Sequence, residues 1–450
     1  MNRTLRLAVA AALLPLGLSG CGDESVGTLG NGTGVVDYWL WDSNQLPGYQ
    51  ACAEAFRAEN PEITVNIQQF GWDDYWGRLT TGMVSGTAPD VFTDHLSRYS
   101  QYVSANQLLP LDTFIERDGV ATDIYQPGLA GLWVGQDGRR YGLPKDWDTI
   151  SIFYNKQMVA DAGIAEADLQ NLTWNPKDGG TYEDVIARLT VDEKGVRGDE
   201  PGFDKTQVAV YGLGLEDAGR GIGQTQWSMY TGANGWEATD ENPWGNRYRY
   251  DEAAFQETIA WWRGLIEKGY MPSLEVATAG VNVADAFGAG RSALNTNGSW
   301  MLGQYFSYDG VEVGLAPTPI GPTGKRASMF NGLSDAIYAG SDNQEAAWQW
   351  VKYLASPACQ ETVAREGVVF PAIPSATETA KQAFAAKGID VAPFTIHIEQ
   401  GTTLLHPITD YAADINAILE PAMEQVMGFG AAPTHMTEVN GQVNAFFDQS

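Results

Sequence analysis

Residues 35–41 read Val-Val-Asp-Tyr-Trp-Leu-Trp, an apolar and aromatic run that predicts a strand. Behind it Tyr49, Cys52, Ala53 and Phe56 recur at i, i+3, i+4 and i+7, which predicts a helix that Asn60-Pro61 stops. Ile63, Val65 and Ile67 then alternate as a second strand, so the three elements form a β-α-β unit with a parallel pair. A further helix is expected between residues 73 and 85, and Pro89-Asp-Val-Phe92 predicts a short buried strand ending in Thr93-Asp94-His95. From Tyr141 the chain passes a Gly-Pro turn, then Asp146, Trp147 and Asp148, and enters the β-branched and aromatic strand Ile150-Ser-Ile-Phe-Tyr154.

Later segments are less regular. Residues 171–206 are rich in Gly, Asp, Asn and Lys and read as a long exposed insertion, followed by a strand at 208–211. The amides and rings of 224–236 suit either a sugar-facing helix or an amphipathic helix burying Trp227 and Tyr230. Phe255, Ile259, Trp262 and Ile266 keep helical spacing and read as core. Residues 291–300 predict a short strand and a Gly turn that presents Trp300. Asp342 and Glu345 form a capping-box-like pair for a helix over 343–356, with Ala347, Trp350, Val351 and Leu354 as its apolar stripe and Pro357 as its stop. Alternating strands and helices predict an α/β fold whose ligand crevice lies beyond the carboxyl ends of the strands. Trp41 with Asp42, Asp94 with His95, and the cluster Asp146, Trp147 and Asp148 are the groups expected around it. Carboxylates that accept from hydroxyls and rings that cover an apolar sugar face suit a neutral polyhydroxylated ligand. The competing reading of the Asp-Trp-Asp cluster is an Asx-rich turn before a core strand.

The ends of the chain and its charge narrow the setting. Arg3 and Arg6 precede an apolar run over 7–18, shorter than the roughly 20 residues a membrane span needs, so residues 1–20 read as a secretory signal. Leu18-Ser19-Gly20-Cys21 is similar to the bacterial lipobox, which implies a lipid on Cys21, a flexible tether over 21–34 and a body held at the extracellular face of the cell membrane by that anchor only. In such a compartment Cys52 and Cys359 form either a disulfide or two buried free thiols. The formal charge is −29; removing Arg3 and Arg6 leaves 25 basic against 56 acidic groups, or −31. That surface excludes nucleic acid and polyanionic substrates. Its length of 450 residues predicts more than one domain.

Groups for most enzyme chemistries are missing. His95, His397, His406 and His435 lack metal-ligand spacing, and no dinucleotide fingerprint, Walker A sequence or serine elbow occurs, so neither metal nor cofactor is expected. An exported glycoside hydrolase using paired carboxylates is the enzymatic alternative, and a surface adhesin a third reading.

Asn60-Pro61, Ala88-Pro-Asp-Val91, Tyr141-Gly-Leu-Pro144, Tyr154-Asn-Lys156, Asn297-Gly-Ser-Trp300 and the segment from Ala346 to Pro357 occur in the order seen in extracellular solute-binding family 1, the sugar-binding proteins of ABC importers. The chain resembles that family over nearly all of its mature length. The resemblance implies a monomeric, two-lobed periplasmic-binding-protein-like fold that closes on a ligand, with lobe one at 35–145 plus 320–370 and lobe two at 150–318 plus 371–450. It also implies a partner, the importer's permease subunits, and a non-enzymatic role. Carried over, the sugar contacts become Trp41, Asp42, Asp94, His95, Trp147, Asp148, Trp300, Asn331 and Gly332, with Tyr411 as a late stacking ring; Asp146 and Trp227 join them from the residue reading. An oligosaccharide is favoured over a monosaccharide by the many rings.

Overall fold

A computed structural model describes residues 32–449, so the signal segment, Cys21 and most of the tether lie outside the described residues. The first apolar run forms β1 (Gly34–Leu40), which buries Val36, Tyr38 and Leu40 in alternation. The helix Leu46–Glu59 buries Tyr49, Cys52 and Phe56, and β2 (Ile63–Gln69) returns parallel to β1. After the helix Trp72–Ser85, β3 (Val91–His95) lies parallel on the other side of β1. β4 (Leu143–Asp148) and β5 (Ile150–Asn155) are separated only by Thr149, yet they belong to different sheets.

β5 sits in a second sheet with β6 (Val191–Asp192), β7 (Val208–Leu213), β8 (Ser292–Gly298) and β9 (Val313–Ala316), in the order β6-β7-β8-β5-β9. β10 (Ser328–Ile337) and β11 (Phe370–Pro371) return to the first, whose order is β11-β4-β10-β3-β1-β2, and β12 (Thr403–Leu405) pairs with the start of β10. The chain thus builds two α/β lobes and crosses between them at Thr149, between β9 and β10, and after the helix Pro374–Ala386.

The lobe borders differ from the expected ones. β4 stays with the first sheet through Asp148, and the helix Pro374–Ala386 packs on the first-lobe helix Pro357–Glu366 and on β11, because Ala376, Ala380 and Phe384 complete that core. The second lobe takes the chain again at the helix Ala392–Gln400, which packs on β5. The 171–206 stretch is not simply an exposed insertion: it holds the helix Gly180–Leu189, whose Tyr182, Ile186 and Leu189 are buried in the second-lobe core, and the edge strand β6. The expected capping box is not formed at the start of the helix Gln344–Leu354: its N-cap is Asn343, whose side chain donates to Val35 O at 3.2 Å, and Glu345 pairs with Arg117 at 2.7 Å. Pro357 stops it and begins the next helix, which Ser356 caps.

On the first lobe Cys52 and Cys359, both fully buried, are joined as a disulfide between the helices Leu46–Glu59 and Pro357–Glu366.

Candidate functional site

The hinge-side end of the first sheet gathers most of the polar groups. β10 runs antiparallel between β3 and β4, so Leu333 lies opposite both His95 and Asp146, and two residues nearer the crossing Asn331 lies opposite Asp148. Strand alternation places Asp146 and Asp148 on one face and Trp147 on the other. Trp147 is therefore a core residue and not a ligand contact: it is 1% exposed, stacks on Phe370 at 4.8 Å and Phe330 at 6.0 Å, and donates Nε1–H to Thr377 Oγ1 at 3.3 Å.

Burial dominates the chemistry of the carboxyls. Neither oxygen of Asp146 has a hydrogen-bond partner among the described residues, and neither does Oδ1 of Asn331. Asp146 is held well above the usual carboxylate range by burial and then by the charge of Asp148, against the pull of Lys145. Asp148 is pushed up to about 7 by burial, although Ser299 donates Oγ–H to its Oδ1 at 2.7 Å. That hydrogen bond ties the first sheet to the short turn Ser299–Met301 that follows β8. Asp42 is raised by burial, and its oxygens accept from Asn44 N–H at 2.8 Å and Gln45 Nε2–H at 3.0 Å.

The same sheet also holds a buried ionic group. Lys145 Nζ donates to Thr93 Oγ1 at 2.9 Å and Tyr38 Oη at 3.0 Å, sits 3.5 Å from Asp335 Oδ1 and lies 4.0 Å over the Tyr49 ring. Removing either member of such a buried pair leaves an uncompensated charge.

An aromatic wall stands beside the acids. Trp41 lies 5.1 Å from Trp72, 5.3 Å from Trp76 and 6.2 Å from His95, and His95 lies 6.0 Å from His406. Burial lowers both imidazoles, His406 to about 4, so they are neutral hydrogen-bonding rings at pH 7. Asp94 is buried but separate: its Oδ1 accepts from His95 N–H at 2.8 Å, while its Oδ2 lacks a partner among the described residues. Trp300 is half-buried at the second-lobe turn, and its indole covers Gly298, where a Cβ would clash with the ring.

Two further expected contacts are placed elsewhere. Trp227 is fully buried in the second-lobe core, 5.2 Å from Phe255 and 6.0 Å from Trp236, which resolves the two readings of 224–236 in favour of packing. Gly332 shares the Trp147 face, and a Cβ there would come within 2.6 Å of Leu129, so close packing and not ligand approach requires the glycine. Tyr411 is 39% exposed and stacks on Phe446 at 5.7 Å; the adjacent Asp410 reaches the first lobe, accepting from Ser104 Oγ–H at 3.0 Å and Gln136 Nε2–H at 2.7 Å. Trp244 makes a second such contact, donating Nε1–H to Val134 O at 3.0 Å beside Tyr99. The lobes therefore touch at points remote in sequence from the crossings.

Trp72, Trp76, His406, Ser299 and Lys145 were not legible as site residues. The spacing of Trp72 and Trp76 at i, i+4 was the available signal, since it puts both rings on one helix face toward Trp41. Among the described residues no group of three or more His, Cys, Asp and Glu could hold a metal ion.

A family model described as bacterial extracellular solute-binding protein matches residues 42–361. The lactose-binding protein of Rhizobium radiobacter is 29% identical over 180 residues, 39% of this chain, which spans 40% of that relative's length. The maltooligosaccharide ABC transporter solute-binding lipoprotein of Streptococcus pneumoniae (strain ATCC BAA-255 / R6) is 27% identical over 320 residues, covering 70% of this chain and 68% of that one. An ABC substrate-binding protein from Listeria monocytogenes, solved in complex with cycloalternan, superposes with a TM-score of 0.77 at 18% identity, over 92% of this chain and 99% of that chain. The structural likeness extends to the two-lobed fold.

Proposed function

Because the chain belongs to the bacterial extracellular solute-binding protein family, whose model matches residues 42–361, we propose that it captures an oligosaccharide between its lobes and delivers it to the permease subunits of an ABC importer. The observation that carries this reading is the set of buried acceptors at the hinge-side end of the first sheet, Asp146 and Asn331, which have no partner among the described residues. These acceptors lie together on one face of the first sheet at its hinge-side end, where a ligand between the lobes could supply donors to them. Saccharide hydroxyls do so, and the Trp41 and Trp300 rings offer apolar faces for the sugar plane. The sugars named in the lactose- and maltooligosaccharide-binding relatives support the same ligand class. Asp42, His95 and Tyr411 complete the proposed contacts, and Asp94, on the other face of β3, is left out of them.

Closure would then bring Trp300 against a ligand already hydrogen-bonded to the first lobe. A thermal-shift panel of mono- and oligosaccharides tests this, because binding raises the melting temperature by mass action. An oligosaccharide that raises it, and that is recovered uncleaved after prolonged incubation, is the expected result. Cleavage products would favour the hydrolase alternative, and a panel without any shift would remove the saccharide reading. Trp300→Ala is expected to weaken the best ligand about tenfold, the scale of one lost stacking contact, while melting within a few degrees of the native protein. A large drop in melting temperature with unchanged affinity would make Trp300 a packing residue.

The anchor belongs to the same proposal. Leu18-Ser19-Gly20-Cys21 supports it, as does the word lipoprotein in the name of the pneumococcal relative. Cys21→Ala is expected to abolish incorporation of radiolabelled fatty acid and to release the protein or leave a precursor. A variant that still carries the label would contradict the assignment.

A further inference from the structure

Away from the crossings, the contacts between the lobes gather in one place. Trp244 donates Nε1–H to Val134 O at 3.0 Å, and its ring lies 5.9 Å from Tyr99, which stands 5.1 Å from Trp133. Asp410 accepts from Ser104 Oγ–H at 3.0 Å and Gln136 Nε2–H at 2.7 Å. A single second-lobe surface presents both residues. Trp244 N–H donates to Ile408 O, Asn242 accepts from Ile408 N–H at 3.1 Å, and Tyr248 of the same loop is buried in the second-lobe core. Trp244 at φ 69° and Tyr411 at φ 57° occupy the left-handed region, which bulky side chains keep only where the surroundings impose it.

The first sheet separates this surface from the saccharide side. Along β10, Asn331 and Leu333 point to one face and Gly332 and Ser334 to the other. Asp146 and Asp148, opposite Leu333 and Asn331, share the first face with Ser299, which Asp148 holds beside Trp300. On the second face a Cβ at Gly332 would meet Leu129 and Leu96, and one at Gly142 would meet Ser334 and the Trp133 ring. Leu96 and Tyr99 lie on the helix Leu96–Ser104, and Leu129 and Trp133 on the short helix Leu129–Trp133, so the elements that receive Trp244 stand on that second face. With the crossing at Thr149 as pivot, a rotation that brings Trp300 toward Asp146 draws Trp244 and Asp410 away from Tyr99, Ser104 and Gln136.

We propose that Trp244 and Asp410 form a counter-latch, a contact behind the pivot that holds the cleft open and must release when a saccharide is captured. They are positioning residues: they set affinity through the closing equilibrium without touching the sugar. The apparent dissociation constant is the intrinsic one divided by the fraction of protein able to close, so loosening the latch tightens binding. The ligand rests on the saccharide-capture reading, whereas the lobe motion is measurable without one.

Calorimetry with lactose, maltotriose and the panel sugar that raises the melting temperature most, beside small-angle scattering of the ligand-free protein, tests it on Trp244→Ala, Asp410→Ala and Gln136→Ala. Gln136→Ala loosens the latch from the first lobe and serves if Trp244→Ala fails to fold. Trp244→Ala is expected to bind about tenfold tighter than the native protein and the other two severalfold tighter, with a smaller ligand-free radius of gyration. Damage to packing alone would weaken binding instead. Ser104→Cys with Asp410→Cys, joined by a short bis-thiosulfonate, is expected to bind at least about tenfold more weakly than the same protein unlinked. Affinity that stays or falls in both Asp410→Ala and Gln136→Ala, or a linked protein that binds as well as the unlinked one, overturns the proposal. Where no sugar binds even the native protein, the saccharide reading falls and the scattering decides: variants of native radius overturn the latch, and more compact ones uphold it.

Discussion

Asp148→Asn is expected to melt higher than the native protein at pH 8 and to bind its saccharide tenfold to a hundredfold more weakly. The stability half follows from linkage. Asp148 is raised from an ordinary 3.8 to about 7 in the folded chain by burial, so between those values the folded state holds a proton that the unfolded state has released. Stability therefore falls as pH rises through this window. The loss is absent below about pH 4 and complete above about pH 7, where it amounts to a few kcal/mol. Asparagine cannot ionise, keeps an oxygen for Ser299 and escapes that loss. The advantage of the variant should thus grow between pH 4 and pH 8. The binding half follows from replacing a charged acceptor by a neutral one, a change worth about 1.5–3 kcal/mol. Thermal melts across this pH range, run beside calorimetry with the best ligand, check both. A variant with the same melting offset at pH 4 and pH 8 would contradict the burial argument.

Replacing both Cys52 and Cys359 with Ala is expected to cost about 3–5 kcal/mol of stability and to leave affinity nearly unchanged. The bridge closes a separation of 307 residues, the regime in which a crosslink removes most freedom from the unfolded chain. It joins two helices of the first lobe, and neither cysteine is among the residues around Asp146, so the cleft should keep its shape. Denaturant midpoints for the oxidised, reduced and double-alanine proteins measure the effect. Two free thiols in the unreduced, denatured protein would refute the bridge.

What the sequence made legible was local periodicity. The β-α-β start, the helix after Asp342 and the Asp146, Asp148 pair all follow from spacing that needs no partner to interpret. Trp147 did not, because its face is decided by β11 and the helix Pro374–Ala386, more than 200 residues later. Trp227 sits in a mixture of amides and rings whose burial depends on Phe255 and Trp236. In 171–206 the turn-forming residues masked Tyr182, Ile186 and Leu189, which keep the i, i+4, i+7 spacing of a buried helix face. The buried group of Lys145, Asp335, Tyr38 and Thr93 is assembled from four strands, and no spacing within the chain announces it.

The most direct measurement is a crystal structure of the protein with the tightest saccharide from the panel. The ligand is expected between the two lobes, with donor groups within hydrogen-bond distance of Asp146 and Asn331 and a sugar face against Trp300. Density for the sugar elsewhere on the molecule, with the Asp146 oxygens still unpartnered, would contradict it.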